Sequence, residues 1–80
     1  MKLVFIVYGE NYELDVAPGE YFSRLRWDAL AKVPNRPRMM PPVENWEILD
    51  GEGKWISPED TLKEDVLGPI YISPPIGYGG

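Results

Sequence analysis

The 80-residue chain contains neither cysteine nor histidine, and these two absences remove most of the chemistry open to a small protein. Without thiols there is no disulfide framework, no thiolate nucleophile and no sulfur ligand for a soft metal. Without imidazole there is no general base that titrates near neutral pH. Long apolar runs are missing too: MKLVFIVY passes directly into GENYELD with no small-residue cleavage site. Neither a membrane span of about 18 residues nor a signal peptide is predicted, and a cytoplasmic location is expected. Positive charge is scarce. Eight Lys and Arg against thirteen Asp and Glu leave a net charge of −5, which opposes contact with nucleic-acid phosphates and anionic membranes. The expected partner is a protein with a basic surface, not a nucleic acid or a membrane.

With 44% hydrophobic and 26% charged residues, the chain suits one small globular domain, which at this size buries only about 60% of the surface its unfolded chain exposes. KLVFIVYG reads as a strand with Leu3, Phe5 and Val7 toward the core and Val4 and Ile6 on the other face. Gly9, Glu10 and Asn11 read as a turn. NYELDVA then alternates, with Tyr12, Leu14 and Val16 inward and Glu13 and Asp15 outward, which completes a β-hairpin. Ala17, Pro18 and Gly19 break the extended chain. In EYFSRLRWDALAKV, Phe22, Leu25, Ala29 and Val33 fall at helical spacing with Leu30 at the flank, so an amphipathic helix is predicted, with Gly19 as a weak cap and Pro34 as its stop. Trp27 lies off the apolar face, about 140° from Phe22 at 100° per residue.

PNRPRMMPPV holds four of the nine prolines and reads as a connection that is neither helix nor central strand. Its Arg36, Arg38, Met39 and Met40 suit either an adaptable basic surface or a stiff loop whose thioethers lie over the core. ENWEILD resumes extended structure with Trp46 and Ile48 inward and Leu49 toward solvent. DGEG is a turn leading into a strand at KWIS. SPEDTLKEDVLG reads as a loop with a short helical turn that brings Leu62, and Val66 or Leu67, inward. PIYISPP is a last strand with Ile70 and Ile72 on one side, ended by Pro74 and Pro75. The predicted order β-β-α-β-β-β makes an α+β domain over residues 1–73, with a mixed sheet packed on one helix. Residues 74–80, PPIGYGG, read as an extended tail.

Taken together, the hairpin that opens at residue 2, the single helix, ENWEILD, the Thr-Leu element in EDTLKEDVL and the Gly79-Gly80 tail resemble the ubiquitin-like β-grasp family. Asn45 to Asp50 and Thr61 to Leu67 look most like bacterial ubiquitin-like modifiers. The resemblance implies a protein that is not itself an enzyme and holds no cofactor or metal. Its C-terminal glycine carboxylate would be adenylated by an activating enzyme, passed to a conjugating enzyme, joined to target proteins and released by a deconjugating peptidase. A carboxylate is a poor electrophile until its oxygen becomes part of a good leaving group, so the tail's task is delivery into a narrow active site, where glycine passes and a Cβ would clash. Pro74 and Pro75 favour an extended segment. Tyr78, Gly77 and Ile76 are then the tail residues a partner reads, and Gly80 and Gly79 the conjugation site. Ubiquitin carries arginines before its last glycines, whereas this chain has none there, so eukaryotic ubiquitin enzymes are expected to recognise it poorly.

The resemblance also implies an apolar docking patch on the solvent side of the sheet, centred on Leu49, extended by Ile6 and Val4, with Tyr8 at the first turn. Lys2, Lys32, Lys54 and Lys63 are possible acceptors for a second copy's tail, and equally ordinary surface charge. Glu59 with Asp60, Glu64 with Asp65, and Asp50 with Glu52 lack the ligand spacing of a calcium loop and read as a solvated acidic face. Two alternatives share the same features. Sulfur-carrier proteins have the same fold and tail, some with a Pro-Pro before it, and form a C-terminal thiocarboxylate. A plain interaction domain would never have its tail activated. The NWEILD and TLKEDVL segments favour the modifier.

Overall fold

Alternating apolar side chains produce the first two strands. In the computed structural model, which describes residues 1–34, 42–66 and 68–75, β1 (Lys2–Val7) and β2 (Glu10–Asp15) pair antiparallel from Lys2 opposite Asp15 to Val7 opposite Glu10. Leu3, Phe5, Val7, Leu14 and Val16 are buried as their alternation predicts, and Tyr12 packs against the same core. The turn is tighter than expected. Tyr8 and Gly9 alone form it, at φ 52° and 77°, a two-residue loop whose twist matches that of the strands it joins. Glu10 and Asn11, read as turn residues from the sequence, therefore belong to β2. A slip by one residue would turn Leu14 outward, so burial of that side chain holds the register.

The helix α1 (Phe22–Ala31) buries Phe22, Leu25, Arg26, Ala29 and Leu30, spaced i, i+3, i+4, i+7 and i+8. Trp27 is exposed, and Val33 packs against the core beyond the helix end. Gly19 is not the cap: the N-cap is Tyr21, which makes no side-chain capping bond. A distant loop does the work instead. The Phe22 N–H donates to the Asp60 carbonyl and the Ser23 N–H to the Pro58 carbonyl, both at 2.9 Å, satisfying donors that a helix start otherwise leaves free. Tyr21 bridges to Thr61, and Leu62 exchanges bonds of 2.8 Å with Gly19 and Glu20. The Thr61-Leu62 element thus seals the helix start, with Leu62 in the core.

Two short strands complete the sheet, β3 (Glu47–Leu49) and β4 (Ile70–Ser73), in the order β2-β1-β4-β3. β4 runs parallel to β1, with Phe5 beside Ile70 and Val7 beside Ile72, and antiparallel to β3. Ile70, Ile72, Ile48 and Trp46 join the hairpin and helix side chains in one core. The fold is therefore α+β, one helix on a four-strand mixed sheet, and β-grasp-like. The strand predicted at KWIS is reduced to a single bridge, Trp55 opposite Leu49, beside a 2.7 Å bond from the Ile56 N–H to the Ile48 carbonyl. The turn before it is held by Asp50, whose Oδ1 accepts the N–H groups of Glu52 and Lys54, each at 2.9 Å. The chain then leaves the sheet for Pro58 and the helix start, which stops the strand from lengthening.

Arg26 lies on the buried helix stripe, only 7% exposed. Its Nη1 donates to the carbonyls of Trp46 at 3.0 Å and Glu44 at 3.5 Å, tying the helix to the short 3-10 turn Val43–Asn45 and the start of β3. Its buried Nε has no partner. Burial lowers the guanidinium pKa, an effect that the Glu44 charge opposes. Val66 packs on the core, whereas Leu67 and the arginines and methionines at 36, 38, 39 and 40 lie outside the described residues.

Truncating Arg26 to Ala removes both the carbonyl bonds and the buried aliphatic stem, and is expected to lower unfolding stability by about 2–3 kcal/mol in urea titrations. A loss below about 0.5 kcal/mol would show that the latch is not structural. A second expectation separates two glycines. Gly53 has φ 84° and open space where a Cβ would stand, whereas at Gly68, φ 71°, the Cβ would meet Leu3 Cδ1 at 2.8 Å. Gly53→Ala should therefore cost about 1 kcal/mol, from the backbone alone, and Gly68→Ala about 2–4 kcal/mol. Equal losses would mean that Leu3 yields freely.

Candidate functional site

Side chains at paired positions of adjacent strands share a face, so the register defines what the sheet presents on the side away from the helix. Asn11 pairs with Ile6, Ile6 with Tyr71, Tyr71 with Leu49, and Leu49 with Trp55. The result is one row across the open face: Ile6, Tyr71, Leu49 and Trp55. Ile6 and Leu49 are half-buried, while Tyr71 is 38% and Trp55 63% exposed. Leu49, expected to face solvent, does so only in part because Tyr71 and Trp55 flank it. Val4 lies one row along, opposite Glu13.

Tyr8 stands apart from this row. Its ring meets the Trp46 ring edge-on, with centroids 5.6 Å apart and planes at 83°, and Trp46 belongs to the core. Tyr8 therefore covers the core at the hairpin end, although 57% of it remains exposed. Sequence reasoning singled out neither Tyr71 nor Trp55. The signal for Tyr71 was its place between inward Ile70 and Ile72, and for Trp55 its place across the DGEG turn from Leu49.

Carboxylates border the row. Glu13 and Asp15 share Lys2, at 3.8 and 3.5 Å. Glu47, opposite Ser73, makes no ion pair among the described residues, and Glu52 lies 3.9 Å from Lys54, both well exposed. Of the possible acceptor lysines, Lys32, Lys54 and Lys63 are exposed, the last with Nζ 3.5 Å from Thr61 Oγ1. Lys2 is exposed too but engaged by its two carboxylates. Among the described residues, no group of three His, Cys, Asp or Glu side chains is placed to hold a metal ion, and no helix is long and apolar enough to cross a membrane.

Because β4 is parallel to β1, Ser73 ends its strand at the same end of the sheet as the Tyr8-Gly9 turn, and half-buried Pro74 and Pro75 follow. The predicted tail positions Ile76, Gly77, Tyr78, Gly79 and Gly80 lie outside the described residues.

No protein-family model and no curated protein matches the chain. Among solved structures it is similar to the crystal structure of ATBAG1 in complex with HSP70, with a TM-score of 0.65 at 11% identity over 95% of this chain. The match spans 41% of that chain, less than half its length. At this identity the likeness concerns the fold alone.

The three tryptophans allow the open face to be checked in solution. Acrylamide quenching should be several-fold stronger for a variant retaining only Trp55 than for one retaining only Trp46, which is 1% exposed. Comparable quenching would mean that the row is covered.

Proposed function

We propose that this chain is a ubiquitin-like protein modifier of a bacterial pathway, whose Gly80 carboxylate is activated and joined to target proteins. The observation that supports this reading best is that β4 ends with Ser73 at the rim of a β-grasp-like sheet, and PPIGYGG follows in the sequence. The chemistry belongs to the partners. A carboxylate oxygen of Gly80 attacks the α-phosphorus of ATP and pyrophosphate leaves; an enzyme thiolate then displaces AMP to give a thioester. An amine of the target attacks the thioester carbonyl and releases the thiol, leaving an amide. Gly79 and Gly80 place no Cβ in the activating enzyme's channel, and Ile76, Gly77 and Tyr78 give it side chains and backbone to read.

The open sheet face is the docking surface in this proposal. Exposed contiguous apolar groups rimmed by polar ones mark interaction sites, and Ile6, Leu49, Tyr71 and Trp55 form such a group. Conjugating enzymes and the deconjugating peptidase would meet the protein there. Lys32, Lys54 and Lys63 are better placed than Lys2 to accept another copy.

A second reading, a non-conjugated interaction domain, has one observation in its favour. In the complex of ATBAG1 with HSP70 the matching fold is under half of a longer chain. Removing Gly79 and Gly80 separates the two readings: it should abolish hydroxylamine-sensitive adducts with the activating enzyme, and conjugates in cells, without lowering the melting temperature. Leu49→Glu should weaken transfer at least tenfold through loss of docking. Conjugates that survive the Gly deletion would sink the modifier reading. A mass gain equal to exchange of one oxygen for sulfur, with no conjugates, would identify a sulfur carrier instead.

A further inference from the structure

The two middle members of the row, Tyr71 and Leu49, also line a hollow of about 380 Å³, together with Gly51, Glu52, Gly53 and Ser73. Three features make its chemistry definite. Tyr71 lines it, exposed between buried Ile70 and Ile72. The Asp50–Lys54 turn contributes Gly51, Glu52 and Gly53 and is held in shape by the Asp50 carboxylate, whose Oδ1 accepts the Glu52 and Lys54 amide N–H groups. The charge is negative: among the described residues Glu52 has a long 3.9 Å contact to exposed Lys54 as its one ion pair, and Glu47, opposite Ser73, has none.

We propose that this hollow receives an arginine side chain of a protein partner. An aromatic face attracts a cation laid over it, and a planar guanidinium stacks on the ring while turning its edge donors toward a carboxylate. Tyr71 and Glu52 supply these two partners in one hollow. Lysine, a compact and strongly hydrated point charge, has neither the planar face that stacks on the ring nor the rigid donor fork that matches the carboxylate. The inference rests on the open sheet face being a docking surface and adds what the docked protein carries: apolar groups for the row and an arginine for the hollow beside Tyr71 and Leu49. Acidic groups bordering the apolar row suit such a partner and repel acidic ones.

The test is an NMR titration of the full chain with N-acetyl-argininamide at millimolar concentration, with N-acetyl-lysinamide as the comparison. The argininamide should shift the Gly51 and Gly53 amides and the Tyr71 ring saturably. Lysinamide should bind at least about threefold more weakly, and Glu52→Gln and Tyr71→Leu should each weaken argininamide binding about two- to fivefold. Unchanged α1 resonances in both variants confirm that they fold. Absence of saturable shifts, equal response to lysinamide, or indifference to both substitutions overturns the proposal. Failure of this proposal and failure of the function reading are distinguishable. Transfer that is insensitive to Leu49→Glu would remove the docking role without altering the titration, and loss of argininamide binding would leave the tail chemistry as it stands.

Discussion

Parallel pairing of β1 with β4 is the constraint on which the rest of the molecule depends. Two parallel strands cannot be joined by a tight turn, so the chain between them must cross over the sheet. That connection runs through β2, the helix with the loops on either side of it, and β3, with the helix segment crossing the sheet. The pairing puts Phe5 with Ile70 and Val7 with Ile72 at the centre of the core, under α1. By the same alternation it puts Ile6 beside Tyr71 on the opposite side. Core and open face are two sides of one register.

The crossover is held by backbone carbonyls where the local sequence offers no cap. Asp60 and Pro58 accept the first helix N–H groups, and the Trp46 and Glu44 carbonyls accept from Arg26. Both sets of bonds reach from α1 to segments far along the chain, so the helix and the loops that follow it stabilise one another. A buried guanidinium carries a large desolvation cost, and its two carbonyl bonds offset part of it. Arg26 joins layers that the small apolar core alone would hold loosely.

The surface divides by charge and chemistry. The open face carries an aliphatic and aromatic row, bordered by carboxylates that leave the row uncrowded: Lys2 draws Glu13 and Asp15 toward one corner, while Glu47 and Glu52 stand at the other. An acidic border opposes nucleic acid and acidic proteins at long range and, in the proposed function, leaves close-range specificity to the apolar row and the hollow beside it. Tail and face thus have separate tasks in the proposed function, one reactive and one recognising.

Alternation and helical spacing by themselves determined the hairpin, the inward sets Leu3-Phe5-Val7 and Ile70-Ile72, the helix stripe and the α+β class, because each depends on neighbours within a few residues. They also placed Val4, Ile6 and Leu49 on one face. Local pattern could not show that Tyr8 and Gly9 alone make the turn, that loop carbonyls replace Gly19 as the cap, or that KWIS contributes one bridge instead of a strand. Nor could it put Tyr71 and Trp55 in line with Leu49, or show that Arg26 is buried. Those features were decided by the tertiary structure, because each depends on hydrogen bonds or contacts between segments whose separation in the chain carries no periodic signal.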